Sequence, residues 1–391
     1  MARPENDVAP PNRERYTLDG GETVEARIDR DQALIGAAVQ EVLGPPEFRA
    51  LVLMGGYGRG EGGYVWRDGR PEAYNDYDYF VVVRGLSRAR RNALSEALAE
   101  RARDLEHQVG VEVDFALLSD DRLPHAEYSL MNAEMIWGHR VVAGDLDVLD
   151  AMPLMPFGSL PLGEFTRLLL NRGALLLMNQ RRLADGTSLG PQAQEVFFKY
   201  LFKAVLACGD ARLAGEHVYH PSYVKKLELL ESIVWDGKSE LMDCYRQAWE
   251  NKFHPDYGRY VDDDAEGWQE RVVRLWLDTL AWFEGCRTGK NVGDWISYCS
   301  PSVPKGQGRT SWGALRNAAI TLRDFGPAEV LKRPRWALRY PRERLISVLP
   351  LLLSHRGESR ISGIAGALAV ATGASWTDAA DRFLQLWRRY A

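Results

Sequence analysis

Three short apolar segments in the first third of the chain are flanked or interrupted by glycines or acids. Ala50–Met54 runs into a glycine cluster, Tyr77–Val83 directly follows an acid, and Val111–Leu118 contains two acids. Apolar segments of this length, bounded by polar or turn residues, are typical of buried β-strands. Strands of this kind must share a sheet, so their polar ends are expected at its rim.

Segments with helical periodicity surround these strands. Asp31–Leu43 carries apolar residues at helical spacing and stops at Gly44-Pro45-Pro46, and Ser87–Val109 is charged with one apolar stripe. Residues 1–30 are rich in proline, glycine and charge and lack the apolar core of a signal peptide, which indicates a flexible leader. The alternation of strands and helices predicts one domain over residues 31–150.

The pattern changes after Met152, because only helical periodicity follows. Asn291–Thr310, Pro334 and Pro341 divide this region into shorter pieces. The predicted fold class is therefore α+β, with an all-α domain over residues 151–391 after the first domain. The predicted helices of that domain are Phe165–Leu183, Gln192–Leu213, Tyr223–Trp235, Leu241–Asn251, Trp268–Gly285, Trp312–Phe325 and Thr377–Tyr390.

A glycine-rich segment directly follows the first strand. It reads Gly55-Gly56-Tyr57-Gly58-Arg59-Gly60-Glu61-Gly62. Glycines in this position let the backbone approach a phosphate and direct successive N–H groups toward it. A glycine cluster by itself is most often a turn, so it indicates a phosphate site only together with other features.

Acids begin the second strand and lie within the third. Asp76 and Asp78 are two positions apart, so their side chains project from one face of the strand, as a pair of divalent ions requires. A third carboxylate completes an oxygen cage, and Asp114 is preferred over Glu112 because it directly precedes an apolar run, as Asp78 does. Acids at the rim of a buried sheet are costly unless a cation or solvent meets them. The combination predicts a metal site.

A dinucleotide-binding fold is the main alternative, since Gly58–Gly63 matches G-x-G-x-x-G. That fold requires a helix between the glycines and the acid, whereas Tyr64–Pro71 contains an Asp-Gly pair typical of a β-hairpin. The dinucleotide-binding acid also ends its strand, whereas Asp76 and Asp78 begin theirs. We therefore reject this alternative.

The strand, Gly55-Gly56, the Asp76-Tyr77-Asp78 segment and Asp114 together resemble the DNA polymerase β-like nucleotidyltransferase superfamily. Gly55–Glu61 is similar to the loop of bacterial uridylyltransferases that modify a nitrogen-regulatory signalling protein. The resemblance covers residues 31–150. It implies a mixed sheet flanked by helices, a bound NTP, and two Mg²⁺ ions, or Mn²⁺ in their place.

Particular roles follow from the resemblance. It implies that Asp76 and Asp78 bridge both metal ions and that Asp114 holds the ion that activates the acceptor oxygen. Gly55 and Gly56 would present their N–H groups to the triphosphate. The reaction implied is in-line displacement at the α-phosphorus with release of pyrophosphate.

Two departures from the family pattern concern this region. Many members have Gly-Ser in place of Gly55-Gly56, so the missing hydroxyl contact falls to Tyr57 or Arg59, and Gly58 completes the predicted nucleotide-binding loop. Residues 64–75 form an insertion relative to the family. This insertion either shapes the acceptor site or is an inert surface loop.

Basic residues of the helical domain are further candidates. Lys199 and Lys203 lie on an aromatic-rich predicted helix, and Lys203 is the stronger candidate of the two. Related enzymes use a lysine from this region to bind the β- and γ-phosphates. Arg172 is a weaker phosphate candidate. The alternative for the two lysines is a surface position with the side-chain stem on apolar neighbours.

Two other polar motifs have a functional and a structural interpretation. Residues 332–344 interleave basic and aromatic residues, which either bind RNA or nucleotide phosphates or form a solvated face. His217 and His220 lie in a turn that ends a helix. Because magnesium avoids imidazole, we interpret both histidines as structural.

Charge and cysteine content limit the partners. Lys and Arg total 49 against 54 Asp and Glu, a formal net charge of −5, so no global positive field attracts nucleic acid. Four scattered cysteines suit a reducing cytoplasm, and no apolar run approaches the ~20 residues of a membrane span. We predict a cytoplasmic, Mg²⁺-dependent enzyme that transfers NMP from an NTP to a hydroxyl of a small molecule or protein. The alternatives are a catalytically idle nucleotide-binding regulatory module and an RNA-modifying nucleotidyltransferase.

Overall fold

Two compact units divide the chain. The computed structural model describes residues 14–186, 189–261, 263–303, 305, 311–356, 364–371 and 373–390. The described residues up to Leu160 form unit 1 together with Tyr219–Glu228 and Trp249–Asp256. Pro161–Val218, Leu229–Ala248 and the described residues from Tyr257 onward form unit 2.

Unit 1 contains a mixed four-stranded sheet. Its strands are β1 (Phe48–Leu53), β4 (Tyr77–Val83), β5 (Val113–Ser119) and β6 (Arg140–Gly144), in the order β5-β4-β1-β6. β1 is antiparallel to β4 and β6, whereas β4 is parallel to β5. The α+β class is confirmed. The fourth strand, β6, has no counterpart in the sequence analysis, because it is short and mostly half-buried and so lacks an alternating pattern.

Two helices cover one face of this sheet. α1 (Gly21–Val42) and α3 (Arg88–Val109) pack on alternate side chains of β4, including Tyr77 and Tyr79. Ser87 caps α3 by accepting the N–H of Arg90 at 3.3 Å. Asp78 alternates with the two tyrosines and therefore projects from the opposite face.

α1 begins ten residues before the predicted start at Asp31, so the flexible leader is wrong for residues 21–30. Val24 and Ile28, both buried, extend the apolar stripe of the helix to its N-terminal turns. Tyr16 is also buried, and its carbonyl accepts the N–H of Gly62 at 2.9 Å. Residues 1–13 of the predicted leader lie outside the described residues.

The predicted hairpin is confirmed. β2 (Tyr64–Arg67) pairs antiparallel with β3 (Arg70–Ala73). The two residues between them, Asp68 and Gly69, have φ angles of 50° and 72°. Positive φ at both positions is the geometry that an Asp-Gly pair favours in a two-residue hairpin turn.

Helices make up unit 2, and its described residues contain no strand, as the sequence predicts. Trp276 of α9 (Ala265–Thr288) donates its indole N–H to Leu169 O of α5 (Leu162–Ala184) at 3.1 Å. Gly173 lets the helices approach, since a Cβ there would lie 2.5 Å from the Trp276 ring. The helices that lie wholly in unit 2 are α5 (Leu162–Ala184), α6 (Pro191–Gly215), α9 (Ala265–Thr288), α10 (Trp295–Tyr298), α11 (Ser311–Phe325), α12 (Pro327–Lys332), α13 (Pro334–Ala337), α14 (Pro341–Ser354), α15 (Ile364–Leu368) and α16 (Trp376–Tyr390).

Two further helices contribute to both units. α7 (Tyr223–Ser232) and α8 (Lys238–Phe253) each have one end in unit 1. The remaining helices of unit 1 are α2 (Gly55–Gly58) and α4 (Leu130–Trp137). All four cysteines are free thiols, as their spacing predicts. Within the described residues, no helix combines the length and the apolar character that crossing a membrane requires.

Candidate active site

The parallel pairing of β4 with β5 brings two of the predicted acids together. Asp78 lies directly opposite Asp114 in this register. Asp76 directly precedes β4, and its charge acts on the carboxyl of Asp114. Glu112 lies just before β5, and its carbonyl accepts the N–H of Tyr77 at 2.9 Å. The sheet therefore places all the predicted acids at one end of two neighbouring strands.

The electrostatics of Asp114 reflect this crowding. Desolvation by burial, followed by the negative charges of Asp76 and Glu106, raises the pKa of the Asp114 carboxyl above its ordinary value. Like charges this close favour protonation of one of them or the arrival of a cation. The rim is therefore chemically suited to a positively charged ligand.

The acids are neighbours but do not form a closed cage. Among the residues that the structure describes, no group of three or more His, Cys, Asp or Glu side chains is arranged to hold a metal ion. Asp76, Asp78 and Asp114 nonetheless supply the hard oxygen donors that magnesium prefers. The donor chemistry and the shared strand face fit the ion.

The glycine loop lies against the same acids. Gly55 begins α2 with a φ of 65°, and a Cβ on it would lie 3.1 Å from Asp78 Oδ2. Met54, just before it, donates its N–H to Asp78 O at 2.9 Å. The N–H groups of Gly55 and Gly56 lie in the first turn of α2, where no earlier helical carbonyl can accept them. Backbone donors and carboxylates therefore meet at one place.

Tyr57 does not offer its hydroxyl to a ligand in this arrangement. Its side chain is 1% exposed, and the hydroxyl donates to Gly63 O at 2.6 Å. The same oxygen accepts the N–H groups of Tyr74 and Asn75 at 3.0 and 3.1 Å. The predicted phosphate contact of this hydroxyl is therefore corrected. Tyr57 instead ties the glycine loop to the end of the hairpin, directly before Asp76.

Replacing Tyr57 by phenylalanine should lower the free energy of unfolding by about 2 kcal/mol, because the N–H of Asn75 loses its acceptor. Gly63 O and the N–H of Tyr74 each lose one partner but keep their hydrogen bond to each other at 3.1 Å. Urea denaturation monitored by circular dichroism measures this loss. Tyr64→Phe is the matched control on the half-buried hairpin and should change stability by less than about 1 kcal/mol. Equal effects of the two substitutions would contradict the anchoring role.

Arg59 is also committed to protein partners. Its side chain is 7% exposed, and Nη1 lies 3.3 Å from Glu134 Oε2 while Nε lies 3.9 Å from Glu61 Oε2. The guanidinium lies 5.9 Å from the ring centroid of Tyr223. The sequence assigns Arg59 to a phosphate, whereas the structure surrounds it with two carboxylates and an aromatic ring.

Glu134 of α4 is the centre of a polar cluster that no sequence motif indicates. It accepts a hydrogen bond from the hydroxyl of Tyr219 and lies 3.8 Å from Lys226 Nζ. Burial by itself raises the pKa of the Glu134 carboxyl, but the charges of Arg59 and Lys226 outweigh burial and hold the pKa below its ordinary value. Glu134 is therefore ionised at neutral pH.

Two segments from beyond residue 160 complete this cluster in unit 1. Glu61 accepts the hydroxyl of Ser222 at 2.5 Å and the N–H of Tyr223 at 3.1 Å, which caps the start of α7. Lys226 Nζ and Lys252 Nζ lie 4.2 and 4.4 Å from the ring centroid of Tyr223. No local pattern marks these residues, because their partners are far away in the sequence. The one sequence feature that indicates a partner for the loop is the carboxylate of Glu61 within it.

The other predicted candidates lie elsewhere or serve the fold. Lys199, Lys203 and Arg172 belong to α5 and α6 of unit 2, so their role stays a prediction. His220 accepts the N–H of Ser222 at 3.0 Å, and burial lowers its pKa to about 4. His217 lies two residues beyond the end of α6, with a φ of 59°. Both histidines have the structural settings that the sequence predicts.

Arginines of the basic segment 332–344 pair within unit 2. Arg333 pairs with Glu329, and Arg339 Nη1 lies 2.5 Å from Glu343 Oε2. Arg344 is fully buried, 4.3 Å from the ring centroid of Phe325. These three arginines are used inside the protein, whereas Lys332 and Arg335 of the same segment are exposed, so RNA binding by this segment stays a prediction.

The chain matches no family model, no curated protein and no solved structure among those compared with it.

Proposed function

We propose that this protein is a magnesium-dependent nucleotidyltransferase of the DNA polymerase β-like kind. The observation that carries the proposal is the meeting of three features at one sheet rim. Gly55 lies beside the carboxylate of Asp78, and Asp78 lies opposite Asp114. Backbone N–H donors suit the oxygens of a triphosphate, and the carboxylates suit its counter-ions.

The residues of the chain have separate tasks in this proposal. Gly55 and Gly56 hold the triphosphate through their N–H groups, and Asp76, Asp78 and Asp114 would hold Mg²⁺. When bound, magnesium neutralises charge on the phosphates and lowers the pKa of the acceptor hydroxyl. Asp114, or a neighbouring carboxylate, would accept the proton of that hydroxyl.

The polar cluster around Glu134 supports the loop electrostatically. Arg59, Lys226 and Lys252 all lower the pKa of the Glu134 carboxyl, so three cations lie around this carboxylate beside the glycine loop. Their field would favour a polyanionic ligand such as NTP. Lys203 stays a proposed ligand of the β- and γ-phosphates.

The decisive experiment uses the purified protein in cell extract with Mg²⁺ and each of the four NTPs labelled at the α-phosphorus. Label that enters a new species only with wild type, and not with the Asp76→Asn, Asp78→Asn double variant, supports nucleotidyl transfer. Sensitivity of that species to protease or ribonuclease then identifies the acceptor class. NTP binding by calorimetry without any transfer of label would instead favour the idle nucleotide-binding module.

The identity of the third acid is tested by two single variants. Asp114→Asn should lower kcat at least about 100-fold, because this carboxylate lies opposite Asp78 and is proposed to take the proton. Glu112→Gln should leave kcat within about threefold of wild type. The reverse ranking in initial-rate assays would assign the role to Glu112.

A further inference from the structure

β5 is an edge strand that carries a proposed catalytic acid. Among the described residues, β4 pairs with one side of β5 and no strand pairs with the other. The N–H of Tyr77 donates to Glu112 O, which fixes the phase of the parallel ladder. The N–H of Val113 points away from β4 and donates to Glu106 Oε1 at 3.3 Å.

The same phase determines which groups face the open edge. Backbone N–H groups alternate in direction along a strand, so those of Phe115 and Leu117 point outward, as that of Val113 does. The side chains of Asp114 and Ala116 lie on the other face from the helices, and both are exposed. Backbone groups at the edge and a proposed catalytic carboxylate are therefore presented together.

Acidic side chains border this edge at both ends. Glu112 and Asp114 are exposed at its start, and Asp120 and Asp121 follow its end. Asp120 lies 3.9 Å from Arg49 of β1, on the far side of β4, so its charge is directed away from the open edge. Glu112, Asp114 and Asp121 outnumber Arg122, the basic residue next to Asp121 in the sequence, so a basic partner is complementary to this edge.

We propose that the acceptor is a hydroxyl side chain in an extended, basic peptide segment that adds to β5 as a fifth strand. This inference rests on the proposed nucleotidyltransferase function. Main-chain hydrogen bonds to Phe115 and Leu117 would hold the segment, as in other cases of strand addition. A serine or threonine in register with Asp114 would then lie on the same face, within the spacing of a cross-strand pair.

The transfer step balances with NTP as the only co-reactant. The hydroxyl oxygen of the peptide attacks the α-phosphorus and forms a new P–O bond. The bond from the α-phosphorus to the bridging oxygen breaks, and pyrophosphate leaves. The proton of the hydroxyl passes to the carboxylate of Asp114, and the product is a nucleotidylated peptide.

The test measures peptide binding without nucleotide, on the full chain. The probes are fluorescein-labelled peptides of alternating threonine and valine, flanked either by lysines or by glutamates, and the readout is fluorescence anisotropy. The lysine-flanked peptide should bind at least about tenfold more tightly than the glutamate-flanked one. Leu117→Pro, which removes an outward N–H, should weaken that binding at least about tenfold.

Leu117→Ala is the matched control, because it shortens the side chain but keeps the N–H, and it should bind within about threefold of wild type. Equal affinity of the proline variant and wild type, or no binding of either peptide, would overturn the proposal. Should Leu117→Pro fail to fold, amide hydrogen exchange on wild type replaces it. Protection of Phe115 and Leu117 on peptide addition supports strand addition, and unchanged exchange overturns it.

Labelled NTP and Mg²⁺ are added last. Label on the threonine peptide, but not on a counterpart with valine at every threonine, supports the acceptor assignment, and peptide binding without label overturns it. A failure of the proposed function itself is visible separately, as the absence of label on every acceptor in cell extract.

Discussion

The Asp76→Asn, Asp78→Asn double variant should lose nucleotidyl transfer by at least about 1,000-fold, because carboxylates that hold metal ions and neutralise phosphate charge supply several kcal/mol to the transition state. The fold should persist, since both side chains are only half-buried at the end of a strand. Transfer of α-labelled phosphate measures the loss, and thermal unfolding checks the fold.

Asp104→Asn is the control for this double variant. Asp104 is an exposed acid on α3, outside the sheet rim, so its replacement should leave turnover unchanged. Wild-type turnover in the double variant would reject the assignment of the acids. A double variant that no longer folds is replaced by Asp78→Asn alone, which must still lose turnover.

Replacing Glu134 by leucine should lower the free energy of unfolding by about 3–5 kcal/mol, the usual result of removing one partner of a buried ion pair. Arg59 is 7% exposed and Lys226 is fully buried, and each would lose the carboxylate of Glu134, which lies 3.3 Å from Arg59 Nη1 and 3.8 Å from Lys226 Nζ. The hydroxyl of Tyr219 would lose its acceptor as well. Urea denaturation of wild type and variant measures the difference.

The Glu134→Gln variant distinguishes the contribution of the negative charge to stability from that of the side-chain shape. The glutamine keeps the size and an acceptor oxygen but not the charge, so it should cost less than leucine and more than an exposed substitution such as Glu41→Gln. A leucine variant as stable as wild type would show that the cluster does not need its central carboxylate. The NTP affinity of the glutamine variant shows whether the same charge balance also serves the loop.

The glycine loop gains its shape from contacts that are distant along the chain. Glu61 binds Ser222, 161 residues away, and Arg59 binds Glu134, 75 residues away. Gly62 lets the loop close over Tyr57, since a Cβ on Gly62 would lie 2.0 Å from the tyrosine ring. Gly62 is therefore required for tight packing of the loop. Gly55, which lies beside Asp78, is the glycine that belongs to the proposed site.

Strand positions and the hairpin follow from local sequence. The observed β4 has the predicted bounds, Tyr77–Val83, because an apolar run that follows an acid admits few other structures. Asp68 and Gly69 determine their turn because few residue pairs adopt positive φ together. The position of Asp78 on the face opposite Tyr77 and Tyr79 follows from the two-residue period of a strand.

Tertiary structure alone decided the sheet order, the strand β6, the burial of Tyr57 and the cluster around Glu134. These features depend on the path of the chain between elements, which no local periodicity encodes. Tyr57 and Arg59 look like ligands in a glycine-rich loop, and only the folded chain shows the partners that occupy them. The physical reason is that buried polar groups need partners. The partners of Tyr57 and Arg59 lie beside the loop, on α4 and on α7.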